Sequence, residues 1–255
     1  MKPFVTLLVR MPTNSSSSAP RSPRQNHLLA ALPSAVFERL LPDLEMVPLK
    51  LGWALYESGA EQDYVYFPTT GIVSLVYVME DGFTSEIAVV GNEGMVGIAL
   101  LMGGGITHHR AVVQSAGYGY RLRADLLKEA FAHDGPLLQL LLRYTQALIA
   151  QMGQTALCNR HHSVEQQLCR WLLMCLDRLP GNEVPMTHEM IASLLGVRRE
   201  GVTDAAGNLQ QEGLIHCGRG KIIVLDRQKL GARACECYGV VKREYALLLP
   251  EITAT

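Results

Sequence analysis

Residues Thr187 to Leu225 read THEMIASLLGVRREGVTDAAGNLQQEGLIHCGRGKIIVL, and this stretch restricts the fold more than any other part of the chain. Thr187 is placed to cap a helix. Ile191, Ala192 and Leu195 put apolar groups on one helical face, and Ala192 is small where a second helix must cross closely. Gly196 supplies a sharp turn at little steric cost. Val197 returns to the core, and Val202, Ala205, Ala206 and Leu209 form the buried stripe of a second helix. Gly213 ends that helix. Leu214 and Ile215 open a strand, and Gly218-Arg219-Gly220-Lys221 makes a turn between apolar strands with two cations at its tip.

Two short helices across a tight turn, followed at once by a hairpin, describe a winged helix-turn-helix. In that module the second helix enters the DNA major groove. The competing reading is an ordinary helical hairpin in a core, but the basic hairpin tip argues against it. Arg198, Arg199, Glu200, Thr203 and Asp204 lie off the buried stripe near the start of the second helix. Arg199 suits guanine O6 and N7. Glu200 and Asp204 suit cytosine N4, and Thr203 can also reach a base edge. Arg198, Arg219, Lys221 and the helix start at Thr187 suit phosphates. Lys and Arg total 23 against 24 Asp and Glu, for a net charge of −1, so DNA affinity must come from a local patch.

Upstream, LEMVPLKL, YVYF, GIVSLVYVME, FTSEIAVV, RAVVQ and YGYRLR are short alternating or apolar runs. Turn signals at Gly59, Asp81-Gly82, Gly91-Asn92 and Gly103-Gly104-Gly105 separate them. That pattern predicts a β-barrel or jelly roll. Leu28 to Leu41 predicts short helices, with Pro33 opening the second. From Pro136 a long helix is predicted. Leu138, Leu141, Thr145, Leu148, Met152 and Thr155 alternate separations of three and four, as in a coiled-coil dimer seam. The alternative is a helix lying on its own barrel, and Leu137, Leu142 and Ile149 widen the stripe enough for both. A further helix is predicted from His162 to Leu179, and a last one from Asp226 to about Leu248. The class is α+β, with residues 1–25 a disordered extension, 26–134 a sensor barrel, 135–160 a dimerisation helix and 161–255 a winged helix-turn-helix domain. The apolar start, Met1 to Val9, is too short for a span or signal sequence, and a cytoplasmic protein is expected.

This order, with VRREGVTDAAGNLQQEGLI as its most specific stretch, resembles the Crp/Fnr family of bacterial transcription regulators over roughly residues 26 to 226. The resemblance implies a cyclic-nucleotide-binding-like barrel as sensor. It also implies a recognition helix carrying an Arg-Glu pair, here Arg199-Glu200, with an Arg one turn on, where this chain has Asp204. Cyclic-nucleotide members carry Gly-Glu and then Arg with a small hydroxyl residue. The matching stretch is GNEGMVGIALLMGGGITHHRAVV. Ile98 follows Gly97 where the Glu would be, His108-His109 stands near the Arg position, and Arg110 is displaced. The pocket is therefore read as degenerate: cyclic AMP is not the expected effector, and the barrel binds another molecule or only holds the dimer. Partners implied are a palindromic double-stranded DNA site, a second copy of the chain, RNA polymerase and a small-molecule effector.

No cofactor or metal is expected. The chain has six cysteines, none before Cys158. Cys235-Glu236-Cys237 on a predicted helix points its thiols apart. His161-His162 and His108-His109 diverge likewise, and no four-ligand spacing is present. There is no P-loop, G-x-S-x-G or H-E-x-x-H, so an enzyme is not expected. The alternative function is a ligand-binding signalling module without a direct DNA role.

Overall fold

The computed structural model describes residues 22–133 and 135–250. The predicted disordered extension lies mostly outside the described residues. Its end is a short 3-10 turn, Pro23–Gln25, closed by a capping box between Ser22 and Gln25. Two short helices follow, α1 (His27–Ala30) and α2 (Ser34–Leu40). Buried Asn26 caps α1 and donates its amide to the carbonyls of Pro68 and Gly94, at 2.9 and 2.8 Å. One side chain thus ties the N-terminal helices to the sheet unit.

Seven strands make that unit: β1 (Glu45–Leu49), β2 (Ala54–Tyr56), β3 (Tyr64–Pro68), β4 (Ile72–Val78), β5 (Thr84–Val90), β6 (Arg110–Ser115) and β7 (Gly117–Arg123). They form two antiparallel sheets, ordered β1-β7-β3 and β2-β6-β4-β5. Pro48 is tolerated because β1 lies at a sheet edge. Gly117 is required by close approach, since a Cβ there would fall 2.4 Å from the Gly71 nitrogen.

Strand β4 breaks the expected alternation. Ile72 to Val76 are buried without interruption, because helices cover the outer face of the sheet. These are α4 (Gly135–His161) and α5 (Val164–Leu176). Helix α3 (Ala124–His133), which the sequence reading missed, follows β7 and packs against the other sheet. The predicted helix from His162 to Leu179 is the shorter α5, started by a capping box between Ser163 and Gln166. Trp171 Nε1 on α5 donates to Glu86 Oε1 at 3.1 Å. Ser74 Oγ lies 2.6 Å from both Glu86 Oε2 and Gln114 Oε1, and the Gln114 amide donates to Cys175 Sγ. A serine hydroxyl has one proton, so this arrangement is satisfied when Glu86 is protonated and donates to Ser74. Burial pushes the Glu86 carboxyl up to about 7, in agreement with that reading.

Helix α4 turns the residues of the predicted dimer seam toward its own chain. Leu141, Thr145, Leu148 and Thr155 are buried within the single chain, and Leu138 and Met152 are half-buried. The helix lies on its own sheet unit, as the alternative reading held. Tyr144 donates to the Met95 carbonyl at 2.8 Å. Gln151 accepts from the Val89 amide and donates to Tyr245. The exposed apolar groups stand one position on, at Leu142 and Ile149, followed by Leu157. Spacing alone selects a stripe, but a helix apolar on two faces leaves open which stripe meets its own domain.

The C-terminal unit contains β8 (Glu183–Val184), α6 (His188–Leu195), α7 (Arg199–Gln211), β9 (Ile215–Gly218), β10 (Lys221–Val224), α8 (Arg227–Arg233) and α9 (Glu236–Leu248). The wing is a three-stranded sheet, β8-β10-β9, rather than a lone hairpin. The predicted last helix is two helices. Ala234 and Cys235 adopt extended backbone, which ends α8 and makes Cys235 the N-cap of α9.

Candidate nucleic-acid interface

The reading surface is built by local chemistry. Thr187 caps α6, its hydroxyl accepting from the Met190 amide at 3.2 Å. Gly196 ends α6 at φ 68°, a left-handed conformation that glycine adopts without a Cβ penalty. Val202, Ala205, Ala206 and Leu209 are buried beneath α7. That leaves Arg198, Arg199, Glu200, Thr203 and Asp204 exposed together on its outer face and first turn.

Their engagement differs. Arg199 Nε is 3.8 Å from Glu189 Oε2, and both side chains are about two-thirds or more exposed (66% and 74%), so the pairing is loose. The Thr203 hydroxyl donates to the Arg199 carbonyl at 3.0 Å and lies 3.3 Å from His188 Nδ1. Partial burial and the Arg199 charge hold His188 below its ordinary value. Arg219 is exposed in the turn between β9 and β10. Lys221 is tied to Glu183 on β8 at 2.7 Å. A phosphate must therefore compete with Glu183 for Lys221, a contest that the sequence did not reveal.

The tip of the β4–β5 hairpin borders this surface. Asp81, Phe83 and Thr84 share a cleft with Ser193, Val197 and Arg198. Thr84 Oγ1 donates to the Ser193 carbonyl at 2.8 Å. A Cβ at Gly196 would come within 3.2 Å of Ser85 Oγ. The sheet unit thus touches the helix-turn-helix at its turn, a long-range contact with no sequence signal.

In the expected effector pocket, His109 and Arg110 have partners within the chain, while Arg110 Nε is buried without one. Gly97 takes φ 108°, packed on Val65, and opens a short 3-10 turn in which Ile98 is buried. His108 is exposed. His109 Nε2 lies 2.9 Å from the Tyr56 hydroxyl, and its ring sits against those of Tyr56 and Tyr77. Burial lowers its pKa, which favours the neutral imidazole. Arg110 pairs with Glu57 at 2.9 Å.

One prediction about the cysteines is overturned. Cys235 and Cys237 do not diverge. Because Cys235 precedes α9 in extended backbone, both thiols turn toward Cys158 and His162.

Comparisons with known proteins agree with this architecture. The family model for the cyclic nucleotide-binding domain matches residues 46–134, and that for the Crp-like helix-turn-helix domain matches residues 166–233. Among solved structures, a putative Crp/Fnr-family transcriptional regulator from Eubacterium rectale superposes with a TM-score of 0.65 at 19% identity, over 82% of this chain and 98% of that one. FixK2 from Bradyrhizobium japonicum gives 0.63 at 18%, over 75% and 98%. A regulator of the same family from Thermus thermophilus gives 0.61 at 25%, over 74% and 98%. No curated protein sequence matches the chain. With a cyclic nucleotide-binding domain followed by a Crp-like helix-turn-helix, the chain is a DNA-binding transcription regulator of the Crp/Fnr type. Among the described residues, no helix is long and apolar enough to cross a membrane.

Proposed function

We propose that the protein acts in the cytoplasm as a homodimer that reads a palindromic DNA site, with an effector other than cyclic AMP. The observation that carries this reading is the outer face of α7, where Arg199, Glu200, Thr203 and Asp204 are exposed together over a fully buried stripe. Arg199 donates to guanine O6 and N7, and Glu200 accepts from cytosine N4. Asp204 favours cytosine in place of the guanine that an arginine there would select, and Thr203 packs beside them. Arg198, Arg219, Lys221 and the α6 start at Thr187 set register on phosphates.

The dimer seam runs along the exposed edge of α4. Leu142, Gln146, Ile149, Gly153 and Ala156 are exposed at alternating separations of four and three, the spacing of a two-helix seam. Two-fold pairing there places two α7 helices on half-sites about 34 Å apart, one DNA turn. Against cyclic AMP stand the buried Ile98, which offers no acceptor for a ribose hydroxyl, and Arg110, already paired with Glu57. An effector acts by binding one relative orientation of the two units more tightly than another.

The test is selection from a pool of random duplexes at near-physiological salt, with and without cyclic AMP. A palindrome enriched equally in both conditions supports the reading. A strong cyclic AMP dependence would restore the sensor assignment, and a single non-repeated half-site would overturn the dimer. Ile149→Asp is expected to give monomers and to lose the palindrome while keeping the fold.

A further inference from the structure

We propose that Cys158, His162, Cys235 and Cys237 form a mononuclear site for a soft divalent cation, with zinc as the best match. The four ligand atoms all lie within 4.8 Å of one another. Cys158 Sγ and Cys235 Sγ are 3.5 Å apart, and Cys237 Sγ and His162 Nδ1 are 3.4 Å apart. A tetrahedral zinc ion, with bonds of about 2.3 Å to sulfur and about 2.0 Å to nitrogen, spaces its ligands by roughly 3.5–3.8 Å. These two observed separations meet that within a few tenths of an ångström, and the rest, all within 4.8 Å, need closing by about 1 Å at most. An iron–sulfur cluster distributes its cysteines over separate irons and holds them farther apart than the ligands of one ion. Hard cations take oxygen ligands, and this set has none.

The surroundings are those of a metal site. The three cysteines are buried. His162 turns Nδ1 toward Cys237 while its Nε2 lies 3.4 Å from Glu236 Oε2. A carboxylate on the far nitrogen fixes the tautomer that leaves Nδ1 free to ligate, the outer-shell pattern of zinc-bound histidines. Gln154 donates its amide to Cys237 Sγ at 3.0 Å, as a partner for a thiolate. Three thiolates and one neutral imidazole around a divalent ion leave a net charge of −1. The guanidinium of buried Arg170 acts electrostatically on Cys158 from α5 and offsets that charge.

The local backbone brings the ligands together in pairs. Cys158 and His162 are one helical turn apart at the end of α4, where the His162 amide bonds the Cys158 carbonyl. Cys235 and Cys237 open α9. An ion at their centre clamps the end of the long helix to the last helix of the DNA-binding unit. Metal loading would thereby stiffen the joint between the two.

The experiment uses the full-length protein, stripped with a chelator under reducing conditions and titrated with zinc and, separately, with cobalt. We expect one ion per chain, and a cobalt spectrum with thiolate-to-metal charge transfer and tetrahedral ligand-field bands. Zinc should raise the melting temperature of the stripped protein. Cys237→Ser and His162→Ala should abolish the tetrahedral cobalt spectrum. Glu236→Gln, which removes no ligand and no core packing, should weaken zinc about tenfold or more. Cys217→Ser, in the wing and outside the cluster, should change none of these. Failure of the stripped wild-type protein to take up either ion would overturn the site. So would a cobalt spectrum lacking thiolate charge transfer, or uptake that survives loss of Cys237.

Discussion

The face of α7 and the pocket of the sheet unit both present cations, yet they hold them differently. On α7, Arg199 keeps a loose contact with Glu189 and stays largely in solvent. In the sheet unit, Arg110 is three-quarters buried against Glu57, and His109 is held by Tyr56. A group meant for an outside anion must be cheap to release from its resident partner. His109 satisfies the hydroxyl of buried Tyr56, which would lose its partner if the ring moved, whereas Glu57 is more than half exposed and holds Arg110 weakly. The difference separates side chains left to solvent from side chains held within the chain.

The contrast is sharpest at Glu86, the buried acid of the sheet unit. Its folded pKa of about 7 lies above the ordinary 4.5, because burial penalises the charged form. The folded protein then binds a proton that the unfolded chain has released, so this group destabilises the fold increasingly as pH rises from about 4.5 to 7. The cost is complete above that range. At about 1.4 kcal/mol per pKa unit it amounts to roughly 3 kcal/mol. Glu86→Gln mimics the protonated acid, with its amide donating to Ser74 and its carbonyl accepting from Trp171. Denaturation at pH 5.5 and 8.5 should show wild-type protein losing stability at the higher pH and the variant losing much less. Equal pH dependence in both would place the titrating group elsewhere.

Next in size is Arg199→Ala, expected to cost about 1–3 kcal/mol of discrimination at one base position of each half-site. Lys221→Ala should weaken specific and random DNA alike and lower the salt slope by about one. Competition binding against random duplexes separates the two, and equal loss of specificity from both would erase the distinction drawn for α7. Thr187→Ala removes the α6 cap and should cost about 1 kcal/mol of stability by chemical denaturation. Smallest is Glu57→Gln. It frees Arg110 from a partly exposed pair at a cost under about 1 kcal/mol, and leaves cyclic AMP binding undetected by calorimetry because Ile98 still offers no acceptor. Cyclic AMP affinity gained by that single change would show the pocket to be blocked rather than lost.

Legibility followed sequence separation. Helices α6 and α7 could be read residue by residue, because cap, stripe, turn glycine and hairpin are local signals. The strands of the sheet unit were visible as short runs between turns. Other features were not. Strand β8 has only two residues and gains its identity by pairing with β10. The face of α4 that meets the sheets depends on Val89, Met95 and Tyr245, which lie far away in the chain. The break at Ala234–Cys235 carries no proline or glycine to announce it.

The amino-acid sequence by itself determined the order of the parts and the chemistry of the α7 surface, since both rest on neighbours within one or two helical turns. Only the tertiary structure decided which groups are spent and which remain for an outside partner: Lys221 against Glu183, Arg110 against Glu57, Leu148 inward and Ile149 outward. It alone joined Cys158 to Cys235 across 77 positions. Such pairings arise from packing whole elements against one another, and local spacing holds no record of them.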